Sequence, residues 1–225
     1  MIDLYYAPTP NGLKLRVFVE ETALACRIVP VSLSGGEQNR PEFRAVSPNG
    51  KIPAIVDHAP ADGSGSLRMF ESGAILLYLA EKLGRLLPAN SRGRAELLPW
   101  LFWQMASLGP MAGQAGYFRV YASEPVPFAI AGYTQETRRL YGVLNSRFAD
   151  RCYIVDEYSI ADIACYPWIV PHAAHGQALA DFPHLERWFH TVGARPAMVR
   201  AYAGVEDVYA RPGRPVAVPQ ASRSA

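Results

Sequence analysis

Cysteine is scarce in this chain. There are three in 225 residues: Cys26, Cys152 and Cys165. None forms a Cys-x-x-Cys pair and the number is odd, which argues against a disulfide framework, a zinc site and a dithiol redox centre. Lysine is also rare, limited to Lys14, Lys51 and Lys82, and no run of basic residues forms. With 22 basic and 20 acidic residues the net charge is +2. That balance excludes a chain built mainly to bind nucleic acid or an anionic membrane. No apolar run is long enough to span a bilayer. The first residues, Met1-Ile2-Asp3-Leu4, lack the basic segment and apolar stretch of a secretory signal, so a cytoplasmic location is expected. The phosphate-binding, zinc-protease and nucleophile-elbow motifs are missing. His172 and His175 lie three apart without a clear third ligand, and no metal is expected. No internal repeat is found.

Hydrophobic residues make up 50% of the chain and aromatics 11%, ample for a packed core. The first part reads as mixed α/β. Ile2 to Tyr6 is a buried strand, and Thr9-Pro10 has the residue types of a helix start, a cap followed by proline. Leu13, Val17, Phe18 and Leu24 give that helix an apolar stripe. Ile28 to Leu33 reads as a second strand, and Pro41 opens a short helix holding Phe43 and Val46. Pro53 to Val56 and Leu67 to Phe70 read as two more strands, joined by a loop rich in Asp, Gly and Ser. Ser72 then caps an apolar helix that Gly84 ends. The order implies a four-stranded mixed sheet with helical cover, its first pair parallel through a right-handed crossover.

Beyond residue 86 the pattern turns helical. The reading is a first domain over residues 1–86, a linker over 87–91, an all-helical domain over 92–210 and a disordered tail over 211–225. Helical stretches are expected from Arg94 to Met105 and from Phe128 to Phe148, with a break or kink at Gly109-Pro110. Ser159 and Asp162 have the spacing of a capping box, opening a buried helix that Pro167 and Pro171 kink or end. His184 to Val192 reads as the last helix. Cys165 falls in an apolar helix and reads as an inert core thiol.

Three places invite a functional reading beside a structural one. Thr9-Pro10-Asn11 sets a hydroxyl and an amide where free N–H groups leave a helix, a position that favours anions and lowers the pKa of a thiol. An ordinary helix cap explains it too. Lys51-Ile52-Pro53 sits at a strand edge. A cis bond before Pro53 would turn the Ile52 backbone toward a peptide-like ligand, whereas a trans proline would simply start the strand. Glu71-Ser72 opens a helix. Its N–H groups and hydroxyl suit a carboxylate and Glu71 an ammonium, the two ends of an amino acid, although a helix cap with a favourable acidic neighbour is equally consistent.

Taken together, residues 1–205 resemble the glutathione transferase superfamily. The resemblance rests on Asp3-Leu-Tyr-Tyr-Ala-Pro-Thr-Pro-Asn-Gly12, Ser47-Pro-Asn-Gly-Lys-Ile-Pro-Ala-Ile-Val56 and Phe70-Glu-Ser-Gly-Ala-Ile-Leu-Leu-Tyr-Leu79. Trp100-Leu-Phe-Trp-Gln104, Gly109-Pro-Met111 and Ser159-Ile-Ala-Asp-Ile-Ala164 in the helical half point to the bacterial nu-class, a group associated with glutathione-dependent disulfide reduction. The resemblance implies a thioredoxin-like α/β domain followed by an all-α domain. It implies that Glu71 and Ser72 hold the γ-glutamyl end of glutathione and that Ile52, before a cis Pro53, pairs with the cysteinyl backbone. Lys51, with Gln38, meets the glycine carboxylate, and Thr9 and Asn11 face the sulfur. Tyr5 and Tyr6 lie nearby on the strand.

The implied activity is thiol–disulfide exchange by a glutathione thiolate, with glutathione as cosubstrate and no protein cysteine involved. Conjugation of electrophiles is the alternative, and weak transferase or peroxidase activity could accompany disulfide reduction. A non-enzymatic binding or regulatory protein on the same fold is the third reading. The resemblance also implies a homodimer, for which the stretch from Trp100 to Met111 offers a surface. Where nu-class relatives carry a basic residue for a second glutathione, this chain has Gly132, with Arg119 and Arg138 nearby. Trp103, Tyr117, Phe118 and Trp168 are the candidate wall for the second substrate.

Overall fold

A computed structural model describes residues 1–205; the tail from Arg211, read as disordered, lies outside the described residues. The sheet is four-stranded and mixed, with strand order β2-β1-β3-β4. β1 (Ile2–Tyr6) pairs in parallel with β2 (Cys26–Pro30) and antiparallel with β3 (Ala54–Asp57), which pairs antiparallel with β4 (Leu67–Phe70). The crossover between the parallel strands is α1 (Pro10–Thr22). β2 starts and ends earlier than the apolar run from Ile28 to Leu33 suggests. β1 is only five residues long, and its parallel register consumes Cys26 through Pro30. Val31 instead enters a small second core with Phe43, Val46, Ala54 and Val56.

Three helices complete this half: α1, the short α2 (Pro41–Arg44) and α3 (Ser72–Leu83). Gly84, at φ 61°, ends α3 as expected. Ser72 does not cap it. The cap position belongs to Glu71, at φ 71°, and Ser72 is the first helical residue.

The helical half begins with α4 (Ser91–Trp103), capped by Asn90. A π-helical turn over Gln104–Leu108, α5 (Gly109–Gly116) and a second π turn over Tyr117–Tyr121 continue it without interruption. Of the break or kink expected at Gly109-Pro110, the break is absent. The Gly109 N–H reaches the carbonyl of Gln104, five residues back, and this widened turn absorbs the hydrogen bond that Pro110 cannot make. Then follow α6 (Pro127–Arg147), α7 (Ile160–Ile169), α8 (Pro183–Gly193) and α9 (Pro196–Tyr202). Pro167 is tolerated inside α7, which ends ahead of Pro171. α9 is a further helix beyond the one read as last. Among the described residues no helix is long and apolar enough to cross a membrane.

One continuous core joins the two halves. It runs from Ile2, Leu4 and Phe18 through Leu76 and Leu97 to Ile163 and Trp188. α1 lies at its centre, packed against α3, α7 and α9. The capping box of α7 is a second anchor. Ser159 Oγ accepts from the Ala161 N–H at 3.3 Å. The buried Asp162 carboxylate accepts from the N–H groups of Ser159 (3.1 Å) and Ile154 (3.0 Å) and from Trp188 Nε1 (2.9 Å). Burial pushes this carboxyl up to about 6 against the pull of those donors. Asp162→Ala is expected to lower the unfolding free energy by about 3 kcal/mol, because it orphans several buried donors. Urea unfolding checks this, and a cost under about 1 kcal/mol would show that the box does not hold α7.

Candidate functional site

Four segments meet at one end of the sheet around a cleft of about 300 Å³. The start of α1 supplies Asn11. The loop before β3 supplies Ser47, Asn49, Lys51, Ile52 and Pro53. The end of β4 and the start of α3 supply Phe70, Glu71 and Ser72. Six of the residues singled out from sequence therefore line one cavity: Asn11, Lys51, Ile52, Pro53, Glu71 and Ser72. Thr9 and Gln38 do not line it. The Thr9 hydroxyl caps α1 by accepting from the Gly12 N–H at 3.3 Å. Gln38 sits in a 3₁₀ turn (Glu37–Asn39) behind the loop, its carbonyl oxygen 3.2 Å from where a Cβ on Gly50 would lie.

Local chemistry explains each segment. Gly12 lets α1 start close to the preceding loop, since a Cβ there would lie 2.0 Å from the Ala7 carbonyl oxygen. The Ile52–Pro53 bond is cis, and Ile52 lies just before the β3 ladder. Ser47 Oγ donates to the Lys51 carbonyl at 2.8 Å and closes the turn ahead of it. Glu71 holds a left-handed φ, rare for a residue with a side chain and common at ligand sites. The first helical bond of α3 runs from the Ile75 N–H to the Glu71 carbonyl. The N–H groups ahead of it have no partner within the helix and form a ready anion site.

Asn11 is held by a residue far away in sequence. Trp168 Nε1 donates to Asn11 Oδ1 at 3.0 Å. An indole N–H can only donate, so the oxygen is fixed toward Trp168 and the amide NH₂ is left for another acceptor. Trp168 in turn stacks near-parallel on the buried His175. Of the suggested wall residues, Trp168 thus serves the site by orienting Asn11.

The largest omission of the sequence reading is Lys14. It lies on the apolar face of α1 and is fully buried. Its Nζ donates to Gln104 Oε1 at 2.6 Å and to Ser72 Oγ at 3.2 Å, with Met105 Sδ at 3.5 Å. Burial lowers its pKa to about 7, against a smaller opposing pull from the Cys165 thiol and Glu71. A lysine set between Leu13 and Leu15 in a chain with so few lysines was the available signal.

The protein's own thiols lie elsewhere. Cys165 is buried in α7, and burial pushes its thiol up. Cys26, in β2, is pushed up to about 11, mainly by burial. Cys152 is exposed after α6. Among the described residues, no group of three His, Cys, Asp or Glu is placed to hold a metal ion. Gly132 lies exposed on α6 with open space around it. The nearby arginines are engaged: Arg119 Nε donates to the Ala174 carbonyl, and Arg138 pairs with Asp181.

The Lys14 environment sets a pH dependence of stability. The lysine is protonated in the unfolded chain up to about pH 10.4 but loses its proton near 7 when folded, so the unfolded state binds more protons in between. Its contribution to stability therefore rises with pH across that window. The stability of the ligand-free protein relative to Lys14→Met is expected to grow by about 2 kcal/mol from pH 7 to pH 9. Urea unfolding of both proteins at the two pH values tests this; a constant difference would contradict it.

Comparison with known proteins places these features in a family. Residues 2–81 match the glutathione S-transferase N-terminal domain, and residues 133–196 match its C-terminal domain. The chain is 52% identical over 202 residues to the disulfide-bond oxidoreductase YfcG of Escherichia coli, covering 89% of this chain and 94% of that protein. A glutathione transferase of Pseudomonas putida, solved with one glutathione disulfide per subunit, superposes with a TM-score of 0.85 at 39% identity. The match covers 89% of this chain and 90% of that one. A transferase of Burkholderia graminis, solved with two glutathione molecules per subunit, superposes with a TM-score of 0.85 at 40% identity, over 90% and 88% of the two chains. The mixed sheet is thus the thioredoxin-like half of a known two-part architecture, and the chain belongs to the glutathione S-transferase family.

Proposed function

We propose that the cleft binds glutathione and that the protein uses it to reduce disulfide bonds, as a nu-class member of its family. The observation that carries this reading is Asn11. Its amide NH₂, fixed by Trp168, is a donor at a helix start, on a cleft whose far side ends at the N-terminus of α3. In this reading Ser72 and the first N–H groups of α3 hold the γ-glutamyl carboxylate, and Glu71 holds its ammonium. The Ile52 backbone pairs with the cysteinyl residue. Lys51 meets the glycine carboxylate, and Gln38 supports the loop that carries it.

The sulfur then lies against the start of α1. The Asn11 amide donates to it. The Thr9 hydroxyl, outside the cleft lining, accepts from the Gly12 N–H and holds the helix start that carries Asn11, whose free N–H groups add to the donors. Such donors favour the thiolate over a thiol of pKa about 8.5, each unit of lowering corresponding to about 1.4 kcal/mol. The thiolate attacks one sulfur of a disulfide. The new S–S bond joins glutathione to that half, and the other half leaves as a thiolate that takes a proton from water. A second glutathione thiolate attacks the mixed disulfide, releasing the second half and forming glutathione disulfide. Both electrons come from the two glutathione thiols, so no protein cysteine changes oxidation state. The names of YfcG and of the glutathione-bound relatives support this chemistry.

A cytoplasmic homodimer belongs to the same reading. Phe102, 64% exposed in the stretch suggested for the dimer contact, supports it. The second glutathione finds no charge at Gly132 and depends on the cleft itself.

The test is turnover of a small model disulfide with reduced glutathione, run beside conjugation of an aromatic halide. Fast reduction with slow conjugation is expected, and the reverse would favour the electrophile-conjugating alternative. Asn11→Ala is expected to lose on the order of a hundredfold in kcat/KM for disulfide reduction while remaining folded. Trp168→Phe keeps the ring bulk but releases Asn11 Oδ1, and about a tenfold loss is expected. Replacing all three cysteines should leave turnover intact, and its loss in a folded variant would point to a protein thiol instead.

A further inference from the structure

Lys14 takes no direct part in the chemistry proposed above, yet it lies immediately behind the residue assigned to the ligand's carboxylate. Its Nζ reaches Ser72 Oγ from inside the core, while Ser72 faces the cleft from the start of α3. We propose that Lys14 is a buried counter-charge for the γ-glutamyl carboxylate, so that this carboxylate and one proton enter the site together. The proposal rests on the glutathione reading and extends it to how the carboxylate is recognised.

The hydrogen-bond arithmetic supports it. An ammonium has three donors and no acceptor. Three acceptors surround Nζ: Gln104 Oε1, Ser72 Oγ and Met105 Sδ. When the amine is charged, Ser72 must accept from it, and the hydroxyl proton, which the weak acceptor Met105 Sδ takes at 3.6 Å, can turn to the stronger acceptor that a carboxylate in the cleft offers. When the amine is neutral, its lone pair can take that proton and turn the hydroxyl away from the ligand. The Gln104 contact keeps the amine from swinging toward solvent. Burial disfavours the charged amine and lowers its pKa to about 7. A carboxylate one hydroxyl away favours the charged form, and by reciprocity the charged form favours the carboxylate.

The titratable groups acting on Lys14 are Glu71 at the cap of α3 and the Cys165 thiol on α7. Asp162 of α7 is committed to its capping box. The helical run over Gln104 and Met105 presents only neutral groups to it. Arg200 of α9 pairs with Glu20, as does Arg16 on α1, and Glu21 pairs with Arg195.

The experiment is calorimetric titration of the full chain with S-methylglutathione, which has no thiol proton to lose. Two buffers of different ionisation enthalpy are used at about pH 7.5, which reports the protons bound with the ligand. The wild-type protein is expected to take up roughly half a proton more than Lys14→Met. Its affinity should exceed that of Lys14→Met by about tenfold at pH 6 and converge on it by pH 9. An S-methylated analogue lacking the α-carboxylate should show no such uptake. The wild-type proton count stands even if the variant does not fold. Binding of S-methylglutathione by the wild-type protein without proton uptake would overturn the proposal, as would equal affinities of the two folded proteins from pH 6 to pH 9. No binding by the wild-type protein at any pH would instead overturn the glutathione reading on which the proposal stands.

Discussion

An amine buried between two domains has to be satisfied from both. Lys14 bonds Ser72 of the α/β half and Gln104 of the helical half, and this shared contact ties the two halves together within the core that α1 forms with α7 and α9. It also sets the place of α1. That helix starts at the cleft, carries Asn11 on its first turn and packs against α3, α7 and α9. A shift of α1 would move the Asn11 amide at the cleft and break the amine contacts at once. Close packing makes such a helix rigid, and a rigid helix terminus is what an anion site needs.

The helical half contributes more than cover. Trp168 decides which way the Asn11 amide points, and the π turn over Gln104–Leu108 brings Gln104 to Lys14 of α1. π turns are frequent at functional sites because they re-aim a side chain without ending the helix. Here the turn does so next to a proline that would otherwise interrupt the run. The cleft is therefore formed by the first domain and aimed by the second.

Polar burial in this protein follows two patterns. Asp162 is buried where four neutral donors meet it, so its oxygens are solvated within the chain although burial still raises its pKa. Lys14 is likewise buried among neutral acceptors, but one of them, Ser72, also lines the cleft. The first arrangement holds a helix in place. The second sets an amine directly behind a serine of the cleft, and burial lowers that amine to about 7.

Much of this was legible in the residues. The succession of strands and helices in the first half, the starts of α1 and α7, the end of α3 and six cleft residues follow from local signals: a proline after a cap, a Ser-x-x-Asp spacing, a glycine after an apolar stripe. These report short-range backbone chemistry, which depends only on neighbours in sequence. The end of β2 was misread because strand length is set by the partner strand and not by the apolar run. The continuity across Gly109-Pro110 was missed because a π turn has no residue signature of its own. Ser72 was read as a cap because hydroxyls usually are, whereas its oxygen is occupied by an amine 58 positions away in sequence. Asn11 could be named from sequence, but its orientation could not, since it depends on an indole 157 positions distant. The sequence by itself determined which backbone groups gather at the mouth of the cleft. Only the tertiary structure decided which charges and dipoles stand behind them, because burial and long-range contact, not residue type, set the direction of an amide and the protonation of an amine.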